Sequence, residues 1–347
     1  VPTNERLTTE LSVNITSNKS DIVLYEYWID GNDPGEASGT TVAVSPTTTT
    51  LSTTVEIPSA DIAALSEGEH VVYVRAKDSL GNWSTWDGGR PDGVDLGYLN
   101  YEEFVVDRSE FGIFLTSVPE DPTSNTTARV EGFAQDSTSI IKYLEYQFVG
   151  PTQAITWTGV TLDDDTYDEL NESFSFEETI TENGPWTISV SGSDYAGNQS
   201  LVTYEFTLDT IAPSISVSGP STSTSRYVHF TGAATDNMTG VAIVKWAVTD
   251  TDTVTPTSAE WNYDWYEAGV VDQFWGETEE DYSFLVTFTE ECEHWVWVKA
   301  VDEVGHVTYT SHYINIDLYG PTVEAVDVTP VPTNERLTTE LSVNITS

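Results

Sequence analysis

The stretch VPTNERLTTELSVNITS stands at both ends of the chain, at Val1–Ser17 and at Val331–Ser347, letter for letter. Identity over so long a stretch makes the offset between the copies, from 1 to 331 and so 330 residues, a repeat period. The expected source is a longer protein in which a unit of that length recurs in tandem, the 347 residues being one unit plus the start of the next.

A weaker repeat lies inside the unit. HVVYVRAKDSLGNWS (His70–Ser84), PWTISVSGSDYAGNQS (Pro185–Ser200) and HWVWVKAVDEVGHVT (His294–Thr308) share an apolar strand, an Asp, a Gly-containing turn and a second strand. Val72, Val74 and Ala76 alternate with Tyr73, Arg75 and Lys77, the period of two that a strand with two different faces requires. The Gly of each turn supplies a residue for positive φ. The three segments predict the last hairpin, strands F and G, of three β-sandwiches. Each hairpin closes on an Asp: EFVVD at Asp107, FTLD at Asp209 and INID at Asp317. Upstream, LYEYWIDG, YLEYQFVG and VKWAVTD align as strand C, preceded by ELSVNITS, ARVEGFAQD and YVHFTGAATD as strand B.

The expected fold is therefore all-β, with three consecutive immunoglobulin-like sandwiches joined end to end. Module 1 covers 1–107, its strand A missing and its F–G loop enlarged. Module 2 covers 108–210, and module 3 covers 211–318 with an aromatic-rich insertion at 251–280. Residues 319–347 are expected to be strands A and B of the next repeat unit.

Charge narrows the partners. Asp and Glu number 57 against 12 Lys and Arg, a formal net charge of −45. Such a surface repels nucleic acid and anionic membranes and suits cations. Disorder is the usual fate of so acidic a chain, but 12% aromatic residues set in alternating apolar runs oppose it. The single cysteine, Cys292, excludes an intramolecular disulfide. No leader or membrane-spanning run is present, which for a unit cut from a longer protein says nothing about location.

The motifs ATDNMTGV, VYVRAKDSLGN, SGSDYAGN and LDTIAPSI resemble those of bacterial and archaeal immunoglobulin-like repeats of giant surface adhesins and fibre proteins. Module 3 departs from the pattern with DEVGH, and module 1 carries VDRSEFG in place of the linker. The resemblance implies an extracellular, adhesive or structural role, often calcium-stiffened.

Strand order gives the candidate sites. If strands alternate in direction from A to G, the start of A, the B–C loop and the F–G turn share one end of a sandwich. The Asp that ends one module then meets the B–C and F–G aspartates of the next: Asp107, Asp136 and Asp194 at the first junction, Asp209, Asp236 and Asp302 at the second. Three carboxylates with loop carbonyls form a cage of hard oxygens for Ca²⁺, the one cofactor expected; the alternative is that each Asp caps its own turn. After Asp317 the site is expected to be weaker, absent or rescued by Asp21, since Ser17 takes the B–C position beside Asp78. The enlarged loop TWDGGRPDGVDLGYLN offers Asp87, Asp92 and Asp95 either as a private calcium loop or as a plain surface loop.

In the insertion WNYDWYEAGVVDQFW, Trp261, Trp265, Tyr266 and Trp275 are candidates to contact glycan or protein, or else to extend the module's own core. Of the Asn-X-Ser/Thr sequons, Asn125 and Asn171 are the candidates for N-glycosylation, whereas Asn82 and Asn198 sit inside the turn motif. No nucleophile, phosphate-loop or zinc-protease motif occurs; His70, His229 and His294 fall on strands and His306 and His312 show no ligand spacing, so no catalytic set is expected. The reading is a non-enzymatic repeat unit of an extracellular stalk, fibre or giant cell-surface protein. Its partners are adjacent copies, end to end and laterally, and glycans, without direct membrane insertion. The alternatives are carbohydrate-binding modules of a secreted enzyme, or a subunit that polymerises by donor-strand exchange through residues 319–347.

Overall fold

The computed structural model of the chain describes residues 2–3, 9–31, 34–84, 100–252, 254–272, 274–330 and 339–346. It is an all-β molecule of sandwich modules, and its described helix, α1 (Ser59–Ala63), is a single turn. No described helix is long and apolar enough to cross a membrane. The chain divides into two compact units: residues 1–119, 127–180 and 186–205 form one, and 120–126, 181–185 and 206–347 the other.

The first unit opens with β1 (Pro2–Thr3), β2 (Thr9–Thr16), β3 (Ile22–Ile29), β4 (Thr40–Thr48), β5 (Thr50–Ile57), β6 (Gly68–Asp78) and β7 (Tyr101–Val106). They form a five-stranded sheet, β1-β7-β6-β3-β4, and a two-stranded sheet, β2-β5. Leu11, Val13 and Ile57 from the smaller sheet meet Tyr25, Tyr27, Val72 and Phe104 from the larger in one apolar cluster. Each such side chain contributes about 1.5–3 kcal/mol by leaving water, which holds the two layers face to face.

The alternation in β6 places Arg75 on the outer face, yet Arg75 is 3% exposed. Its guanidinium lies 5.1 Å from the Trp28 ring centre and 5.4 Å from that of Trp83. Its Nε–H donates to the carboxylate of Glu26, itself fully buried. That carboxylate also accepts the Ala37 and Gly39 amides, so the outer face of this sheet is covered around an ion pair.

Next come β8 (Gly112–Ser117), β9 (Thr127–Gln135), β10 (Ile141–Val149), β11 (Ala154–Gly159), β12 (Thr161–Leu162), β13 (Asn171–Thr179), β14 (Gly184–Asp194) and β15 (Gln199–Leu208). Their sheets are β11-β10-β14-β15 and β12-β13-β9-β8. Every second residue of β9 is buried, among them Ala128, Val130 and Ala134, as are Phe174 on neighbouring β13 and Phe148, Trp186, Ile188 and Val190 on the other sheet.

The second unit carries β16 (Ser214–Ile215), β17 (Thr222–Ser223), β18 (Tyr227–Thr235), β19 (Val241–Thr249), β20 (Tyr266–Glu267), β21 (Gly269–Val270), β22 (Glu279–Thr287), β23 (Glu293–Asp302) and β24 (Val307–Ile316). Their sheets, β16-β18-β22-β21 and β17-β24-β23-β19-β20, close on Val228, Phe230, Tyr282, Phe284, Val296, Val298 and Ile314.

The last strands are β25 (Thr322–Pro330) and β26 (Thr339–Thr346), paired with each other and antiparallel. β26 repeats the eight residues of β2, TELSVNIT, but β2 pairs with β5. In the middle sandwich the corresponding strand, β9, has both partners at once, β8 on one edge and β13 on the other. One octapeptide thus uses one hydrogen-bonding edge near the start of the chain and the other near its end. Pro2–Thr3 pairs in parallel with β7, as β17 does with β24, so the opening residues also contribute a short strand to the larger sheet.

Candidate metal centres

Each of the three F–G turns is built by its aspartate. Asp78 Oδ1 accepts the Leu80 and Asn82 amides at 3.0 and 2.8 Å, and its Oδ2 accepts the Asn82 side-chain amide at 3.0 Å. Asp194 holds Asn198 in the same way, at 2.9 Å to both its backbone and side-chain nitrogens. In the third turn His306 replaces the asparagine, and its Nδ1 lies 2.9 Å from Asp302 Oδ2. Gly81, Gly197 and Gly305 take φ of 91°, 90° and 95°, the left-handed backbone that the sequence pattern required. Asn82 and Asn198 are therefore committed to turn geometry, whereas Asn125 and Asn171 are exposed.

The topology brings two aspartate triads together. Asp107, Asp136 and Asp194 each offer a carboxylate oxygen within 4.8 Å of the others, and so do Asp209, Asp236 and Asp302. Two oxygens on one Ca²⁺, each roughly 2.3–2.6 Å from it, are separated by at most about that distance. All six carboxylates are buried, between 0% and 6% exposed. Burial of this kind costs several kcal/mol per charge unless something opposite or hydrogen-bonding faces it.

Local bonds satisfy part of that demand. Asp136 Oδ1 accepts the Thr138 and Ser139 amides at 2.6 and 2.8 Å, and Asp236 Oδ1 accepts Met238 and Thr239, both at 3.0 Å. Asp107 Oδ1 accepts the Ser109 amide, and Asp209 Oδ1 that of Ile211. Asp209 Oδ2 further accepts the Thr239 hydroxyl at 2.7 Å. Asp107 Oδ2 and Asp236 Oδ2 are buried and accept nothing from the protein. Each triad thus contains one orphaned carboxylate oxygen. Turn capping by itself accounts for the bonded oxygens and leaves the orphans unexplained. Hard oxygen donors with an open coordination position are the donor set that Ca²⁺ takes. Burial, and then the facing Asp136 carboxylate, push the Asp107 carboxyl up to about 6.

The lesser candidates are placed differently. Asp78 is held by Asn82 and then Ser20, whose bonds lower its carboxyl to about 2, and Asp21 accepts the Thr47 hydroxyl at 3.0 Å. Asp317 is exposed and belongs to no acidic cluster among the described residues. Asp87, Asp92 and Asp95 lie outside the described residues.

The aromatic insertion folds back onto its own sheet. Trp261 stacks on Trp265 at 5.1 Å and meets Trp297 of β23 edge-on, while Lys299 Nζ sits 4.4 Å from the Trp265 ring centre. Trp275 packs on the core and Tyr266 lies against Trp246, though Tyr266 keeps 54% of its surface exposed.

The sequence pattern missed one further constellation, Asp250, Cys292 and His294, whose ligand atoms also lie within 4.8 Å of one another. One signal for it was present. The pair His70 and Asp30 stands at the corresponding positions of the first sandwich, His at the start of its strand and Asp at the end of the neighbouring one.

No family model and no curated protein matches the chain. Solved structures that overlay on it include a tetra-tandem repeat in the extending region of a large adhesion protein, at 16% identity. That match covers 97% of this chain and 84% of the other, with a TM-score of 0.31. A 1.5-MDa bacterial ice-binding adhesin matches at 14% identity over 92% of this chain and 94% of its own, with a TM-score of 0.42. Trypsin-activated α2-macroglobulin from Escherichia coli matches at 9% identity, over 95% of this chain and 24% of its own, with a TM-score of 0.27.

Proposed function

We propose that the chain is a repeat unit of an extracellular stalk or fibre, built of immunoglobulin-like sandwiches whose junctions are stiffened by Ca²⁺. The observation that carries this reading is the recurrence of a buried aspartate triad with one orphaned oxygen. Both triads take one Asp from the end of a sandwich, one from a loop and one from an F–G turn. A cation there ties the last residue of one sandwich to two loops of the next, removing the hinge freedom of the connections at 107–111 and 209–213. Rigid reach, and avidity from many identical surfaces, would be the work of such an array.

The strand pairings support end-to-end continuity between copies. β25 lies on the edge of β26 that the identical β2 leaves uncovered, so β25 of one copy and β5 of another complete the sheet that β8, β9 and β13 form within the middle sandwich. In a covalent tandem array that sheet forms along one polypeptide; in a strand-exchanged polymer it forms between separate chains. Denaturing gel mobility of native material separates the two, since the covalent array runs far above the 38.2 kDa of this chain.

Calcium titration of the wild type and of Asp209→Ala tests the metal. The expected result is a calcium-dependent rise in melting temperature that is smaller in the variant. Equal affinity and equal thermal shift in both proteins would overturn the reading.

A further inference from the structure

The Asp250–Cys292–His294 group belongs to neither aspartate triad, and comparison with the first sandwich shows what is special about it. There, His70 is bonded on both sides, Nδ1 to Asp30 Oδ2 at 2.6 Å and Nε2 to the Ser66 carbonyl at 2.8 Å. Those two bonds account for that imidazole as a fastener between strand ends. In the third sandwich His294 Nδ1 still faces Asp250 Oδ1, at 3.0 Å. Its Nε2 keeps the corresponding bond, longer, to the Glu290 carbonyl at 3.3 Å, and in addition stands 3.4 Å from Cys292 Sγ. The position two residues before the histidine is Gly68 in the first sandwich and Gly184, before Trp186, in the second, with φ of 117° and 123°. Only the third sandwich places a thiol there.

We propose that Cys292 Sγ and His294 Nε2 bind a thiophilic divalent cation, Zn²⁺ being the probe of choice, with Asp250 as the positioning residue. Tetrahedral Zn²⁺ bonded to sulfur at roughly 2.3 Å and to nitrogen at roughly 2.0–2.1 Å sets the two ligands about 3.5 Å apart. The observed 3.4 Å separation meets that requirement without movement. A carboxylate on the remote nitrogen fixes the ring, and the metal replaces the proton that Nε2 shares with the Glu290 carbonyl.

Charge selects this reading over a nucleophilic Cys–His–Asp set, which the spacing also suggests. Asp250, Glu290 and Glu293 surround Cys292 with negative charge, which opposes a free thiolate. The same negative field attracts a divalent cation, and coordination to a cation deprotonates the thiol outright. Cys292 is partly exposed, which leaves room for water to fill the remaining coordination positions.

The single cysteine makes the test direct. The alkylation rate of Cys292 is measured in the whole chain with and without Zn²⁺, in excess Ca²⁺ so that the aspartate triads do not compete. With Zn²⁺ at about ten times its Kd the free-thiol fraction, and with it the rate, falls about tenfold. His294→Gln is expected to abolish that protection. Co²⁺ supplies a second readout that does not depend on that variant folding: a thiolate-to-metal charge-transfer band in the wild type, absent in Cys292→Ser. An alkylation rate unchanged by Zn²⁺, equal protection in folded His294→Gln, or no such band in the wild type overturns the proposal. The calcium reading stands or falls separately, on the Asp209→Ala titration.

Discussion

Replacing Asp107 by Asn should stabilise the protein in chelator, and calcium should roughly halve that advantage. The Asp107 carboxyl is fully buried, its Oδ2 is orphaned, and its proton is held up to about 6 rather than 3.8. Raising a carboxyl by that much puts about 3 kcal/mol against the ionised form in the folded state. The native chain binds this proton more tightly than the unfolded chain does. The favourable contribution is therefore complete below about pH 3.8 and is lost as pH rises through about 6. At pH 7 in chelator the wild type carries the whole cost. Asn removes the charge and turns an NH₂ donor toward two carboxylates, so Asp107→Asn should be more stable than wild type by up to about 3 kcal/mol. With calcium at about ten times a Kd of roughly 10⁻⁴ M, the wild type regains about 1.4 kcal/mol at this site, and the variant little of it. The second triad responds in both proteins, so the difference isolates the first. Calorimetry in chelator and in Ca²⁺ reads it, at about 2–4 °C per kcal/mol for units of this size. A variant less stable than wild type in chelator, or an identical calcium shift in both, would show that the orphaned oxygen does not face a cation site.

Three further predictions rest on other parts of the molecule. Glu26→Ala takes the carboxylate from a buried guanidinium and should cost about 3–5 kcal/mol by chemical denaturation. The double change Glu26→Met with Arg75→Leu should restore most of that, and failure to do so would place the loss elsewhere. Gly305→Ala meets no atom within 4 Å but must keep φ near 95°, so it should cost about 1–2 kcal/mol of backbone strain, with Gly305→Asn costing less. Asn82→Ala removes the largest cause of the low Asp78 carboxyl, which should then titrate above its wild-type value of about 2 by carboxyl NMR, with the Ser20, Leu80 and backbone bonds still holding it down. The stability this bond supplies is present above about pH 3.8 and lost as pH falls through about 2, so the two proteins should converge at the acid end.

The aspartate triads were legible because each member is tied to local grammar: the end of a strand, a B–C loop, a Gly turn. Topology then places all three at one end of a sandwich. Which oxygen is left orphaned was not legible, since that depends on whether a neighbour such as Thr239 reaches Asp209 in space. The burial of Arg75 escaped the alternation rule for a related reason. Period two assigns a face to a side chain, but what covers that face comes from Glu26 and the Trp28 and Trp83 rings. Cys292 read as a solitary cysteine because Asp250 lies just past the end of β19, beyond the reach of any local pattern.

What the amino-acid order determined by itself was the strand class and the turn positions, because side-chain alternation and left-handed glycines act over a few residues. The tertiary structure alone decided partnership, as TELSVNIT shows. The same eight residues form a strand in both places, yet they pair with β5 in one and with β25 in the other. A strand's faces are set by its side chains, but its two backbone edges are chemically alike, and only the neighbours available in space choose between them.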